Sequence, residues 1–128
     1  RDQPRSRGLG DVYKRQPLEV NYPGLESSPY YSLAKKYFNG KGGAIVTIRT
    51  GSKEKAFKLL NNLQIPSIAT NIGDTRTLVI HPSSTIYIHN TPEQMENAGV
   101  YDDTIRISVG IEDIEDLIDD FSQAIKNI

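Results

Sequence analysis

The sequence predicts an α+β fold, a two-layer sandwich in which a small, mainly antiparallel sheet carries helices on one face. Helical and strand-like hydrophobic patterns alternate along residues 17–128, but the strand patterns are few and short. The clearest part is the end of the chain, where an alternating segment at 104–109 leads into a helical stripe at about 113–126. Such a stripe can cover the apolar face of the preceding strand.

Composition excludes several classes of protein and of site. The 128 residues, 37% of them hydrophobic, fit one domain with a modest core. No run approaches the roughly 20 apolar residues of a spanning helix, and no secretory signal precedes the domain, so a cytoplasmic protein without a membrane partner is expected. The absence of cysteine excludes disulfides and thiolate ligands, and the two histidines lack ligand spacing, so no metal site is predicted. Residues 17–128 are mildly acidic, which argues against a nucleic-acid partner.

The first sixteen residues, RDQPRSRGLGDVYKRQ, are predicted to be a disordered or non-native tail. They show no apolar periodicity and are rich in arginine, glycine and proline. The string GLGDVYKRQ resembles a translated sequencing adapter, which would make it a scar joined to a truncated reading frame. A basic arm for an anionic partner is the functional alternative. The folded domain is therefore placed at residues 17–128.

The first half of the domain contains two predicted helices and a strand. The first helix is expected to be capped at Ser28 and to stop at Asn39-Gly40. Residues 44–50 alternate as a strand, and Ser52 caps the second helix. The apolar stripe of that helix consists of Ala56, Leu59, Leu60 and Leu63.

The second half is richer in loops and ends in a strand and a helix. Its predicted elements, in chain order, are a short apolar segment at 67–70, a turn at Gly73-Asp74, a strand at 78–80, a turn at 81–84, a helix opened by Thr91-Pro92 and ended by Gly99, a strand at 104–109 and a helix at about 113–126. The last helix carries the stripe Ile114, Leu117, Ile118, Phe121 and Ile125.

Arg106 is the residue in this pattern that needs an explanation. Ile105, Ile107 and Val109 share one face of the strand, so Arg106 and Ser108 lie on the other. A guanidinium on a rigid strand offers paired donors to a carboxylate and keeps its charge at any physiological pH. The alternative is a solvated arginine on an exposed sheet face.

Three other features favour structural explanations. His81 and His89 lie in loops without an obvious catalytic partner, and each is expected to be a partly exposed structural histidine. The glycine-rich segment NGKGG at 39–43 lacks the spacing of a phosphate-binding loop and indicates a helix stop. Of the six carboxylates between 112 and 120, two complement the start of the last helix and the rest are expected on its solvent face, without calcium.

Three motifs occur in an order and spacing that identify a family. They are VNYPGLESSPYY at 20–31, NIGDTRTLVIHPSST at 71–85 and TPEQMENAGVYDDTIRISVGIEDIEDLIDDF at 91–121. Over about residues 18–128 the chain closely resembles the C-terminal small domain of the Cys/Met-metabolism pyridoxal-phosphate enzymes, which are fold-type-I transferases. It is most similar to their O-acetylhomoserine sulfhydrylase members.

The resemblance implies an activity and a set of site residues. Sulfhydrylase members use pyridoxal 5'-phosphate to join sulfide to O-acetyl-L-homoserine, giving homocysteine and acetate. The resemblance assigns Arg106 to the substrate α-carboxylate, Asn71 to a second polar contact beside that carboxylate, and Thr85 to the border of the cofactor cleft. It also implies an amino-acid substrate and a homotetrameric parent enzyme.

No lysine of this sequence follows the family's Ser-x-Thr motif, so the Schiff-base lysine and the large cofactor-binding domain are expected to lie outside it. The chain alone is therefore predicted to be inactive. Two alternatives stay open. One is another enzyme of the family, of the cystathionine synthase or methionine lyase type. The other is a non-catalytic α+β ligand-binding module.

Overall fold

The computed structural model describes residues 6–10 and 18–128, and its centre is a five-stranded sheet. The strands are β1 (Glu19–Asn21), β2 (Ile45–Arg49), β3 (Ser67–Ile68), β4 (Leu78–Ile80) and β5 (Thr104–Ser108). Their order in the sheet is β1-β2-β5-β4-β3, and among these pairs only β3 and β4 run parallel. The long strands β2 and β5 therefore lie side by side at the centre of the sheet.

Helices and a short turn connect these strands. They are α1 (Tyr31–Phe38), α2 (Lys53–Asn62), a 3₁₀ turn (Pro82–Ser84), α3 (Pro92–Asn97) and α4 (Ile114–Lys126). None of the helices within the described ranges is long and apolar enough to cross a bilayer. The predicted α+β architecture, a mostly antiparallel sheet with helices, is confirmed.

The core lies between one face of the sheet and two helices. Val46, Ile48, Ile105 and Ile107 are fully buried on that face, as the alternation in β2 and β5 predicts. Helices α2 and α4 cover it with side chains that include Leu59, Leu60, Leu117, Phe121 and Ala124. The opposite face carries Arg106, with the polar Thr47 of β2 on one side and the buried Ile80 of β4 on the other.

Two helix starts were predicted correctly and one was not. The Ser52 hydroxyl accepts the Lys55 N–H at 3.2 Å, and Thr91 and Gln94 form a reciprocal capping box. By contrast, α1 begins at Tyr31, and the Ser28 hydroxyl accepts the Tyr30 N–H in a turn ahead of the helix. Ser28 therefore shapes the approach to α1 without capping it.

The sequence did not indicate β1, which is only three residues long. This edge strand pairs with β2 and leads into Tyr22, whose ring is buried and whose hydroxyl donates to the Gly43 carbonyl at 3.0 Å. Burial raises the pKa of the Tyr22 phenol above its ordinary value. A Cβ on Gly24 would lie 2.6 Å from the Tyr22 ring, so the glycine at this position permits the close approach.

The N-terminal segment departs from the predicted tail. Residues 6–10 are helical, and Leu9 is fully buried within the core cluster. Disorder is therefore the wrong expectation for these five residues, because an apolar side chain there removes surface from water against the core. The rest of the predicted tail, residues 1–5 and 11–16, lies outside the described residues.

The acidic run of α4 contains one carboxylate that is not on the solvent face. Asp120 is only 7% exposed, and its oxygens accept the backbone N–H groups of Gln64 and Ile65 at 2.9–3.1 Å. Asp113 is the N-cap of the helix, as a residue near its start should be. The prediction of a solvated face is therefore wrong for Asp120, because this carboxylate accepts backbone hydrogen bonds from the loop after α2.

Candidate functional site

Arg106 lies at the middle of β5, on the sheet face opposite the core. Its cross-strand neighbours are Thr47 of β2 and Ile80 of β4. The side chain is half-buried, and its neighbours Ile105 and Ile107 are fully buried on the other face. A central strand flanked on both sides by partners holds the Cα of Arg106 rigidly.

The guanidinium of Arg106 makes one polar contact in the described part of the chain. Its Nη2 donates to the carbonyl oxygen of Thr70 at 2.7 Å. Within residues 6–10 and 18–128 no carboxylate approaches it closely enough for an ion pair. A guanidinium carries five N–H donors, so most of its hydrogen-bonding capacity and its whole charge remain available to an anion.

Asn71 directly follows the residue that accepts this bond. Its side chain is exposed and makes no hydrogen bond to another described residue. The structure therefore brings the backbone of the 70–71 segment to Arg106, as expected if both side chains serve one site. A free amide offers a donor and an acceptor beside a cation.

Thr85 belongs to a neighbouring turn. It follows the 3₁₀ turn after β4, and its hydroxyl donates to the His81 carbonyl at 2.9 Å. Among the described residues, the hydrogen bonds of the Thr85 side chain stay within that turn and reach neither Arg106 nor Asn71. Thr85 and Arg106 are thus related through β4, whose last residue Ile80 is the cross-strand neighbour of Arg106.

His81 is a buried structural residue. It is only 2% exposed, so the expectation of partial exposure is wrong. Its Nδ1 lies 2.7 Å from the Ser84 hydroxyl, its Nε2 contacts the Asp102 carbonyl, and its ring packs against Phe57 at 4.8 Å. Both ring nitrogens are satisfied, which suits a residue that holds the turn after β4. His89 is exposed.

A hydrogen-bond network that the sequence did not indicate fixes the loop after Asn71 onto the end of β5. The Ser108 hydroxyl accepts the Gly73 N–H at 3.1 Å. The Thr77 hydroxyl accepts the Gly110 N–H at 2.9 Å and donates to the Glu112 carboxylate at 2.7 Å, and that carboxylate also accepts the Thr77 N–H. The partners are more than thirty residues apart, so one sequence alone carries no local signal for them.

The groups that meet here are the half-buried Arg106 guanidinium and the backbone of the 70–71 segment, which also carries the exposed Asn71 amide. Among the described residues, no group of three or more His, Cys, Asp or Glu side chains is placed to hold a metal ion. The arrangement can bind an anion of carboxylate size by charge and hydrogen bonding. It contains no nucleophile paired with a base.

Comparisons with known proteins show which proteins this chain is similar to. The chain is 44% identical over 107 residues to O-acetyl-L-homoserine sulfhydrylase 1 of Thermus thermophilus, covering 83% of this chain and 25% of that protein. It is 40% identical over 125 residues to L-methionine gamma-lyase of Fusobacterium nucleatum, covering 96% of this chain and 32% of that protein. The chain thus spans about a quarter to a third of the length of these relatives.

A solved structure shares the fold and the family. A putative O-acetylhomoserine (thiol)-lyase of Campylobacter jejuni, crystallised with N'-pyridoxyl-lysine-5'-monophosphate, matches with a TM-score of 0.90 and 33% identity. The match covers 97% of this chain and 30% of that one. The family model described as Cys/Met metabolism PLP-dependent enzyme matches residues 12–126. The chain therefore belongs to the Cys/Met-metabolism pyridoxal-phosphate-dependent enzyme family.

Proposed function

We propose that residues 17–128 are the C-terminal substrate-binding domain of an O-acetyl-L-homoserine sulfhydrylase. Such an enzyme forms homocysteine and acetate from O-acetylhomoserine and sulfide. The observation that carries the proposal is the Arg106 guanidinium, which is fixed on a central strand and has no carboxylate partner among the described residues. Membership of the family and the similarity to a sulfhydrylase support an amino-acid substrate as the ligand of this cation.

In this proposal Arg106 binds the α-carboxylate of the substrate. The bond from Nη2 to the Thr70 carbonyl orients the guanidinium plane and leaves its other donors for the two carboxylate oxygens. Asn71, the next residue, supplies a second polar contact beside the same carboxylate. Together they fix one end of the substrate, so that its reacting carbon is held in one place.

The described residues do not form a cofactor site by themselves. Pyridoxal phosphate supplies an electron sink and is bound through a lysine in enzymes of this kind. Every lysine within the described ranges is exposed. In our proposal the cofactor is held by the additional length that relatives possess, and Thr85 borders the cleft from this side. The 128-residue chain alone is then inactive.

The exposed apolar surface of α1 supports the proposal that other protein covers this part of the domain in the intact enzyme. Tyr30, Leu33, Tyr37 and Phe38 are each 49–65% exposed and lie close together along this helix. An apolar patch of this kind on a separate domain marks a surface for other protein. We assign it to contacts within a larger, homotetrameric cytoplasmic enzyme.

Three alternatives to this proposal are tested in the same experiment. The similarity to a methionine gamma-lyase covers 96% of this chain, which favours methionine breakdown as the second candidate. A domain that binds a ligand without chemistry is the third, since Arg106 could bind a carboxylate in the absence of any reaction. A cystathionine synthase activity would use the same carboxylate anchor.

The experiment is an assay of the intact protein in which this sequence occurs, saturated with pyridoxal phosphate. Homocysteine formed from O-acetyl-L-homoserine and sulfide, at a kcat/KM well above that for L-methionine consumption, is the expected result. Faster consumption of L-methionine would move the assignment to a lyase. Cystathionine and acetate formed from cysteine and O-acetyl-L-homoserine would move it to a synthase. Absence of cofactor absorbance and of all three reactions would leave only the binding module.

A further inference from the structure

The contact between Arg106 and Thr70 depends on a loop that is anchored elsewhere. We infer that Thr77, held by Glu112 and Gly110, is a positioning residue that sets the orientation of the Arg106 guanidinium. The inference rests on the proposed role of Arg106 as the carboxylate anchor. It assigns a function to a hydrogen-bond cluster that does not itself contact the substrate.

A single hydrogen bond restrains the Arg106 guanidinium among the described residues. An arginine side chain has several rotatable bonds, so a rigid Cα does not by itself fix the position of its head. Among the described residues, the Thr70 carbonyl is the only hydrogen-bond acceptor for Arg106. The direction of the remaining donors therefore follows the position of residue 70.

The position of residue 70 depends in turn on how the loop after it is held. The chain from Thr70 to Thr77 crosses the end of β5 as a loop, with a positive φ of 76° at Gly73. The Ser108 hydroxyl accepts the Gly73 N–H, and Ser108 lies on the same strand and the same face as Arg106. One strand thus presents both the arginine and an attachment point for the loop that orients it.

The far end of the loop is held at Thr77. The Glu112 carboxylate accepts the Thr77 N–H at 2.6 Å and its hydroxyl at 2.7 Å. The same hydroxyl accepts the Gly110 N–H at 2.9 Å, so one side chain joins three groups. A Cβ on Gly110 would lie 2.4 Å from the Thr75 carbonyl oxygen, so the loop lies directly on this glycine. The loop is therefore clamped at Gly73 and at Thr77. On the other side of Thr70, the Ser67 N–H donates to the Thr77 carbonyl at 3.0 Å and the Ala69 N–H donates to the Val79 carbonyl at 3.2 Å. Thr77 thus holds the chain on both sides of Thr70, together with β4.

The test uses a matched pair at position 77. Thr77→Val keeps the shape of the side chain but removes the hydroxyl, whereas Thr77→Ser keeps the hydroxyl. In the full 128-residue chain we measure hydrogen exchange of the Arg106 guanidinium by ¹⁵N NMR, which needs no ligand, and the Kd for O-acetyl-L-homoserine. Loss of one bridging hydroxyl should speed the exchange and raise the Kd by roughly 3- to 10-fold in Thr77→Val. Thr77→Ser should stay close to the unmodified chain.

A destabilised control separates positioning from general loss of structure. Asp120→Asn weakens a loop next to α4 and should lower stability without changing Arg106 exchange. If Thr77→Val leaves the exchange unchanged, or if Asp120→Asn speeds it equally, the positioning role is wrong. Arg106→Ala tests the underlying function separately. If it leaves the KM for O-acetyl-L-homoserine of the intact enzyme unchanged, the carboxylate anchor is wrong, whatever position 77 does.

Discussion

Arg49 and Arg106 occupy adjacent central strands and the same face of the sheet, yet their surroundings differ. Arg49 Nε donates to Asp103 at 3.0 Å, Nη1 lies 3.6 Å from Glu19, and the guanidinium stacks on Tyr101 at 4.0 Å. The hydrogen bond to Asp103 raises the pKa of Arg49 above its ordinary value. Arg106 contacts only a backbone carbonyl among the described residues. Position in the sheet does not distinguish the two arginines, but the carboxylate partners of Arg49 do, and this difference is why we propose Arg106 as the binding residue.

The largest expected effect is at Arg106. Arg106→Ala in the intact enzyme should lower kcat/KM for O-acetyl-L-homoserine by roughly 30- to several-thousand-fold, because removing a charge-assisted carboxylate pair costs about 2–5 kcal/mol. Steady-state kinetics measure the loss. The free energy of unfolding should change little, since only one bond to Thr70 is lost.

The control for this prediction is the absorbance of bound pyridoxal phosphate, which should be unchanged in Arg106→Ala. A variant that loses the cofactor would show that Arg106 stabilises the cofactor-binding region. Equal kinetics for the unmodified enzyme and Arg106→Ala would make Arg106 a solvated surface arginine, the alternative considered for the strand.

The acidic residues of α4 also differ in whether they have partners in the fold. Asp120→Ala should lower the free energy of unfolding by about 1.5–3 kcal/mol, because the N–H groups of Gln64 and Ile65 lose a charged acceptor. Urea denaturation of the 128-residue chain measures the change. Asp119→Ala, at the exposed neighbouring position, is the matched control and should change stability by less than about 0.5 kcal/mol. Similar losses at both positions would refute the distinction.

A smaller effect is expected at Arg49. Arg49→Met keeps most of the aliphatic chain and removes the charge paired with Asp103. Because the Arg49 side chain is 38% exposed, solvent screens the pair and the loss should be about 0.5–1 kcal/mol of unfolding free energy. Substrate affinity should stay unchanged. If Arg49→Met weakened substrate binding as much as Arg106→Ala, the two arginines would share one site.

The smallest effect is a pH dependence in the loop beside Arg106. The Arg76 N–H donates to the Asp74 carboxylate at 2.9 Å and lowers the pKa of Asp74 below its ordinary value. A lowered folded-state pKa stabilises the fold above the ordinary pKa of aspartate, and the gain disappears as the pH falls through the lowered value. The urea midpoint of Asp74→Asn should therefore lie below that of the unmodified chain at pH 7 and converge with it in acid. A constant gap at all pH values would contradict this.

Periodicity predicted most of the fold because burial follows it closely. The alternation Val46, Ile48 and Ile105, Ile107 placed β2 and β5 on the core, and the stripe of α4 was predicted with Leu117 and Phe121 inside. Arg106 was placed on the correct face by the same alternation. Short elements were not predicted. The strand β1 has only three residues, so too few positions alternate for a strand pattern to be recognised.

Long-range polar contacts could not be predicted, because they depend on which loops meet. Glu112 and Thr77 are 35 residues apart, and nothing near either residue indicates the other. The sequence does not distinguish Asp120 from the other acidic residues of α4, because its partners are the backbone N–H groups of Gln64 and Ile65 in a different loop. The roles of Arg106, Asn71 and Thr85 came from the family resemblance and stay predictions, although Thr70 does bring the Asn71 segment to Arg106.

The most direct measurement follows the guanidinium signals of both arginines in the ¹⁵N-labelled chain during titration with O-acetyl-L-homoserine. The account predicts that the Arg106 signals shift with ligand and that the Arg49 signals do not. The methyl ester of the same amino acid, which lacks the carboxylate, should leave both unchanged. Shifts confined to Arg49, or equal responses to acid and ester, would contradict the assignment of Arg106 as the carboxylate anchor.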